Sequence, residues 1–193
     1  MKLHEKLPEG VTVDGKFYRL DFDFRNVLRM MEILQKDDLT EEAREWLALR
    51  CLMRRPRNVS AVLAEVRRVL FPEQPSGDRE RVMSFEQDAG LIRSAFRQEY
   101  GIDLYRERLH WIEFSELLSN LPEGSRFSEV VGIRARPVPK ATKYNAAERQ
   151  WLLNAKASVA LKMSEKEQEE KYQRDVEKLF AGLMGMIQGD DDK

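Results

Sequence analysis

The chain has 193 residues, 35% of them charged, and a formal net charge of -1. A chain of this length buries about 70% of its unfolded surface, so it can form a real core. Because the charges nearly cancel, the composition argues against long-range attraction to nucleic acid or membranes. A single cysteine, Cys51, excludes an intrachain disulfide and is typical of a reducing cytosol.

Neither export nor membrane insertion is predicted. The N-terminal residues carry lysines but lack the following apolar run that a signal peptide needs. The longest apolar or glycine run, 179–187, is nine residues, whereas a membrane-spanning helix needs about 20. These features predict a cytoplasmic protein.

Residues 11–20 predict a two-stranded β-hairpin. Asp14 and Gly15 separate two short strand-like segments, and both residue types tolerate the positive φ angles of a type I′ turn. Two strands alone are marginally stable in water, so the hairpin must pack on helices or extend another sheet. Its open edge is a candidate joining surface between subunits.

The rest of the chain has helical patterns, so the predicted fold is mainly α, a helical bundle with a small N-terminal β-hairpin. A first helix covers about Phe24–Gln35. A second begins after Thr40 and stops before Pro56, and Asn58 can cap a third that ends near Phe71.

The fourth predicted helix follows a loop at 72–78, the clearest loop in the chain. Ser84 and Gln87 form a capping box that opens this helix. Gly101 can adopt the left-handed conformation that ends this helix, and Asp103 can cap the next helix. The glycine and the aspartate are thus explained by a helix stop, a turn and a helix start, without any ligand.

The fifth predicted helix, about 104–120, is apolar on two sides. One side carries Tyr105, Leu109 and Ile112, and the other carries Trp111, Phe114, Leu117, Leu118 and Leu121. Such a helix is either central in the core or shared between its core and a partner. The central position is favoured. If a partner shares the helix, the candidate interaction residues are Trp111, Phe114 and Leu118.

Two further helices are predicted at about 125–135 and 145–161, which complete a globular domain covering 1–162. Residues 163–193 are predicted to form an appendage, an amphipathic helix followed by an acidic tail.

The apolar side of this last helix is the main candidate interaction surface. It consists of Tyr172, Val176, Leu179, Phe180, Leu183, Met184, Met186 and Ile187. The helix docks either on its own core, which is favoured, or on an apolar groove or neighbouring subunit from which it can come away. Its methionines suit a surface that accepts many helical sequences, because thioethers repack at little cost.

No catalytic or metal-binding pattern is found in the sequence. The two histidines, His4 and His110, and Cys51 lack the spacing of metal ligands. There is no phosphate-binding glycine loop, nucleophile elbow or HExxH motif. Glu113 and Glu116 lie one helical turn apart, which on a helix is usually solvated surface. We therefore predict no enzymatic activity, no cofactor and no metal.

The most basic stretch, Arg44–Arg68, has seven arginines against two glutamates. Arg54, Arg55 and Arg57 surround Pro56 in a turn that can contact phosphates. However, no helix-turn-helix, RNA-stacking or zinc-finger pattern accompanies them, and the balanced overall charge disfavours nucleic acid. A solvated face or an acidic protein partner is the preferred interpretation.

Two groups of residues carry a resemblance to a known family. The first lies between Phe85 and Arg134 and contains Gln87-Asp88, Tyr100-Gly101-Ile102-Asp103-Leu104, Leu109-His110-Trp111, Phe114 and Ile133-Arg134. The second is Asp23-Phe24-Arg25-Asn26, which follows the hairpin. Together they resemble the small tail assembly chaperones of tailed bacteriophages, which are encoded between the tail-tube and tape-measure genes.

This resemblance implies a non-enzymatic chaperone that binds and solubilises the tape-measure protein until the tail tube polymerises. It implies a homo-oligomer in the cytoplasm of the infected bacterial host, with tail-tube subunits as further partners, and absence from the mature virion. The alternative is a structural connector or tail-completion protein that stays in the virion.

Overall fold

The computed structural model describes residues 4–72 and 81–162. Within these ranges the protein has seven α-helices and one antiparallel hairpin, which confirms the predicted mainly α fold. The strands are β1 (Gly10–Val13) and β2 (Lys16–Arg19). The helices are α1 (Phe24–Leu34), α2 (Glu41–Leu52), α3 (Val59–Leu70), α4 (Ala89–Tyr100), α5 (Trp111–Ser119), α6 (Arg126–Ala135) and α7 (Ala146–Ser158).

The chain divides into two compact units, 1–140 and 141–193. The described part of the second unit is α7 with its flanking residues, where Leu152 is buried and Trp151 is largely exposed. The predicted division after residue 162 stays a prediction, because the appendage lies outside the described residues. No described helix is long and apolar enough to cross a membrane.

The hairpin forms as predicted. Val11 pairs with Tyr18, and the turn residues Asp14 and Gly15 have φ angles of 49° and 74°, as a type I′ turn requires. Val11 and Val13 are part of the core, where β1 contacts α3. Packing on a helix therefore supplies the stability that two strands alone lack.

Three helices begin at a side-chain oxygen that accepts a hydrogen bond from a backbone N–H of the first turn. Asp23, Thr40 and Ser125 each provide such a cap, for α1, α2 and α6. Helix α3 also begins after the predicted Asn58, but the Asn58 side chain makes no capping bond. Asn58 instead adopts a left-handed conformation, with φ 48° and ψ 50°, which asparagine tolerates better than most residues.

The predicted start of the fourth helix is wrong. Helix α4 begins at Ala89, and residues 85–88 form a turn. The Ser84 hydroxyl accepts from the Gln87 N–H at 3.3 Å, as in a capping box, but the Asp88 carboxylate accepts from the Ser84 N–H at 2.9 Å. Because Asp88 closes this turn, the helix starts after it. Gly101 ends α4 with φ 70°, as predicted.

The predicted fifth helix is too long by seven residues at its start. Helix α5 is Trp111–Ser119. Asp103 caps only a turn, accepting from the Tyr105 N–H at 3.0 Å. The chain then runs extended into His110, which forms an isolated antiparallel β-bridge with Asp23. This long-range pairing uses backbone groups that a helix would need for itself.

Aromatic rings form the centre of the core in the first unit. The Phe114 ring, 1% exposed, stacks on Phe24 with centroids 4.6 Å apart and on Phe96 at 5.2 Å. Trp111 lies 5.8 Å from the same ring. Because α1, α4 and α5 each contribute, this cluster holds three helices together.

Candidate protein-interaction site

The two groups of residues that carry the family resemblance meet in space. The Phe24 N–H donates to the Leu109 carbonyl at 3.0 Å, and the Trp111 N–H donates to the Phe22 carbonyl at 2.8 Å. We call this pairing of 22–24 with 109–111, together with the side chains of Asp23, Arg25 and Arg108, the motif junction.

Charged side chains link the two segments of the motif junction. The buried Asp23 carboxylate accepts from Arg25 at 3.2 Å and from Arg108 at 3.1 Å. The Arg25 guanidinium also donates to the backbone carbonyls of Leu104, at 2.8 Å, and Glu107, at 2.6 Å. One arginine thereby ties the start of α1 to the turn before α5 through charge-assisted hydrogen bonds.

His110 has a structural role at the N-terminus of α5. Its Nδ1 accepts from the Ile112 N–H at 3.1 Å, so the proton lies on Nε2, which donates to the Pro8 carbonyl at 3.0 Å. Both ring nitrogens are thus engaged, and the ring meets Phe22 edge-on at 5.6 Å. The His110 side chain is half-buried.

A second pair from the resemblance forms a buried ion pair. Arg134 in α6 donates to both oxygens of Asp88, at 2.7 and 2.9 Å, with the side chains 11% and 3% exposed. Burial alone raises the pKa of Asp88, but the hydrogen bonds from Arg134 and from the Ser84 N–H outweigh it and leave that pKa below its ordinary value. This pair fixes α6 against the start of α4.

The predicted interaction residues of α5 lie mostly inside the protein. Trp111 and Phe114 are 4% and 1% exposed, and Leu118 is half-buried against the core. The central position of this helix is therefore observed, while contact with a partner stays a prediction. The other candidates, Tyr172, Val176, Leu179, Phe180, Leu183, Met184 and Ile187, lie outside the described residues.

An apolar groove of about 410 Å³ lies between α1 and α3. We call it the methionine groove because Met30 and Met31 line it. The other lining residues are Leu34, Gln35, Glu45, Ser60, Leu63, Ala64, Val66, Arg67 and Phe71. Met31, Leu34 and Phe71 are only partly buried, so their apolar surface is available to a ligand.

Helix α2 carries a second exposed apolar feature. Trp46 and Leu47 are 44% and 37% exposed, whereas Ala48, Leu49 and Leu52 on the same helix are buried. Our sequence reasoning missed both this face and the methionine groove. The signal for the face was present, since consecutive apolar residues 46–49 cannot all point to one side of a helix. The groove had no sequence signal, because it depends on how α1 and α3 pack.

Only some arginines of the basic stretch Arg44–Arg68 form hydrogen bonds or ion pairs with the described residues. Arg68 bonds Glu65 at 2.6 Å, and Arg44 donates to the Lys36 carbonyl at 3.2 Å. In contrast, Arg54, Arg55 and Arg57, in the loop between α2 and α3, are exposed. Exposed pairs such as Arg68–Glu65 are screened by solvent and contribute little to stability, so this stretch is not what stabilises the fold.

These features define a mainly helical protein with two surface grooves on its first unit, and with no candidate metal cluster in the ranges that the structure describes. Residues 3–161 match the family described as Bacteriophage Gp15 protein, and the chain belongs to this bacteriophage family. The bacteriophage part of the resemblance is thereby confirmed. No curated protein and no solved structure matches the chain.

Proposed function

We propose that this protein is a non-enzymatic chaperone of phage tail assembly, which binds the tape-measure protein and keeps it soluble until the tail tube polymerises. The observation that carries the proposal is the methionine groove. Family membership supports the phage setting, and the resemblance of the motif residues supports the partner. In this proposal the protein acts as a homo-oligomer in the host cytoplasm and is displaced by tail-tube subunits.

The groove has the properties of a site for an amphipathic helix. It is lined by residues of α1, α2 and α3, mostly apolar, together with the polar Gln35, Glu45, Ser60 and Arg67. Helix-in-groove recognition buries a few apolar anchors spaced by one helical turn. A volume of about 410 Å³ accommodates only a few such anchors, so one groove covers one short stretch of a long partner.

Met31, the partly exposed methionine of the groove, makes it tolerant of different partner sequences. A thioether side chain has three rotatable bonds and a polarizable sulfur, so it adapts to different apolar partners. A chaperone for a long helical protein must bind many different stretches weakly and then release them. Partly exposed, adaptable lining residues suit such binding better than a rigid pocket that is specific for one ligand.

The test is co-expression of this protein with the tape-measure protein of the same phage, followed by measurement of how much tape-measure protein stays soluble. Ala64, an exposed residue of α3 that lines the groove, is changed to Glu to place a charge there. The matched control is Gln98→Glu, on the exposed side of α4. We expect Ala64→Glu to lose the soluble complex and Gln98→Glu to retain it.

Equal protection by Ala64→Glu and by the unchanged protein would remove the methionine groove from the proposal. Purified virions provide a separate test of the chaperone role. A chaperone is absent from them, whereas a structural connector or tail-completion protein is present in fixed stoichiometry.

A further inference from the structure

A second, larger groove lies on the same unit, and its lining is charged. It has a volume of about 1060 Å³ and opens to solvent. Four chain segments line it: residues 7–9, 19–23, 52–55 and 108–110. These are the N-terminal segment, the link from β2 to α1, the loop after α2, and the chain entering α5.

The carboxylates of this groove are neutralised by neighbouring arginines. Glu9 bonds Arg19 at 3.1 Å. Asp21 accepts two hydrogen bonds from Arg108, both at 2.8 Å, and Asp23 accepts a third from Arg108 at 3.1 Å. The acidic residues that line the groove therefore do not attract a cationic ligand.

Arg54 and Arg55 provide the uncompensated charge. Both line the groove and are exposed, and neither forms an ion pair with any residue that the structure describes. Arg57 extends the same loop and is exposed as well. An anionic group in the groove would thus meet two guanidinium groups whose donors are available for charge-assisted hydrogen bonds.

The remaining lining favours a polypeptide over a nucleic acid. Leu7, Pro8 and Met53 are partly buried apolar residues at the groove, and they can pack against side chains of a peptide. The bases of a nucleic acid would find no exposed Phe, Tyr or Trp ring in the lining on which to stack. We propose that this groove binds an acidic segment of a partner protein, with its carboxylates on Arg54 and Arg55.

The experiment measures fluorescence anisotropy of a labelled peptide of about eight residues, long enough to span about 27 Å when extended. The peptide alternates glutamate with leucine, and a second peptide carries glutamine in place of glutamate. With the full-length protein, we expect the glutamate peptide alone to bind. Its affinity should fall steeply between about 0.1 M and about 1 M salt, as the Debye length shrinks from about 10 Å to about 3 Å.

The double substitution Arg54→Ala with Arg55→Ala should weaken binding of the glutamate peptide about five- to tenfold, as expected for two partly solvated charge pairs. The matched control removes the same charge elsewhere, through Arg29→Ala with Arg97→Ala, two exposed residues outside the groove. It should bind like the unchanged protein. Equal weakening by both double substitutions would mean that only the overall charge matters, and would overturn the site.

Two further results would overturn the proposal. In the first, a single-stranded oligonucleotide binds more tightly than the glutamate peptide, and the double substitution of Arg54 and Arg55 abolishes that binding. The groove would then be a nucleic-acid site. If replacing Asp190, Asp191 and Asp192 by asparagine in the full chain strengthens peptide binding, the protein's own acidic tail occupies the groove instead of a partner. This test is independent of tape-measure binding, because neither arginine lines the methionine groove.

Discussion

The motif junction and the methionine groove belong to the same unit. They differ in how many of their side-chain groups have partners within the chain. In the junction, Asp23, Arg25 and His110 direct their polar atoms to partners within the chain. In the groove, Met31, Leu34 and Phe71 leave apolar surface uncovered by the described residues. Residues that satisfy one another maintain a fold, whereas surface left uncovered is available to another molecule.

The residues that identify the family are therefore different from the residues that are proposed to bind partners. The residues that carry the resemblance build the fold: Asp88 pairs with Arg134, and Phe24 pairs through its backbone with Leu109. The residues proposed to bind partners lie elsewhere, on α1, α3 and the loop after α2. Substitutions in the first group should therefore lower stability, and substitutions at the exposed positions of the second, such as Ala64, Arg54 and Arg55, should lower binding alone.

The largest loss is expected from Phe114→Ala. The Phe114 ring contacts four other aromatic rings and is 1% exposed, so its removal leaves a cavity among three helices. The free energy of unfolding should fall by about 3–5 kcal/mol, measured by urea denaturation. Phe17→Ala, at an exposed hairpin position, is the control and should change stability by less than about 0.5 kcal/mol.

Arg134→Leu should cost about 3 kcal/mol, because it leaves the buried Asp88 carboxylate without its partner. The same denaturation experiment measures it. Arg126→Leu removes an exposed ion pair from the same helix and should cost at most about 1 kcal/mol. Equal losses in the two variants would show that the Asp88–Arg134 pair has no special role.

The same pair predicts a dependence of stability on pH. The folded-state pKa of Asp88 lies below its ordinary value of 3.8. Its stabilising contribution is therefore complete above that value and is lost as the pH falls through the lower folded-state pKa. Asp88→Asn lacks this titration, so its free energy of unfolding should fall less than that of the unchanged protein between neutral and strongly acidic pH. Parallel curves for the two proteins would contradict this assignment.

A smaller loss, about 1–3 kcal/mol, is expected from Gly10→Ala. A Cβ atom at Gly10 would collide with the backbone carbonyl oxygen of Tyr18 in the partner strand. Gly90 in α4 has open space around the same position, so Gly90→Ala should instead stabilise the protein by about 0.5–1 kcal/mol. Thermal melting of the two variants should therefore move in opposite directions.

The smallest change in stability is expected from a substitution in the methionine groove. Ala64→Glu changes an exposed helical residue, so its free energy of unfolding should lie within about 0.5 kcal/mol of the unchanged value. Together with lost tape-measure binding, this result would separate binding from folding. A large loss of stability would mean that Ala64 belongs to the core and that the groove maintains the fold as the motif junction does.

Several local features could be predicted because a few neighbouring residues decide them. Asp14 and Gly15 specify the hairpin turn, α2 begins directly after Thr40, and Gly101 ends α4 with a left-handed conformation. Each depends on backbone geometry or on a hydrogen bond within about four residues. The sequence alone was sufficient for them.

The errors arose where distant residues compete for the same backbone. The helical period of residues 104–110 predicted a helix, but Leu109 and Trp111 pair with residues 24 and 22 of the chain instead. The start of α4 moved to Ala89 because Asp88 closes a turn on Ser84 and bonds Arg134 in α6. Neither the pairing of 109–111 with 22–24 nor the ion pair between Asp88 and Arg134 can be identified from local periodicity.

The sequence by itself determined the helical class, the hairpin, most helix boundaries and the family resemblance, because these rest on local propensity and short motifs. Only the tertiary structure decided that the motif residues join two distant segments, that Trp111 and Phe114 are internal, and that two grooves open on the first unit. A groove is the space left between elements, and its shape depends on how those elements pack.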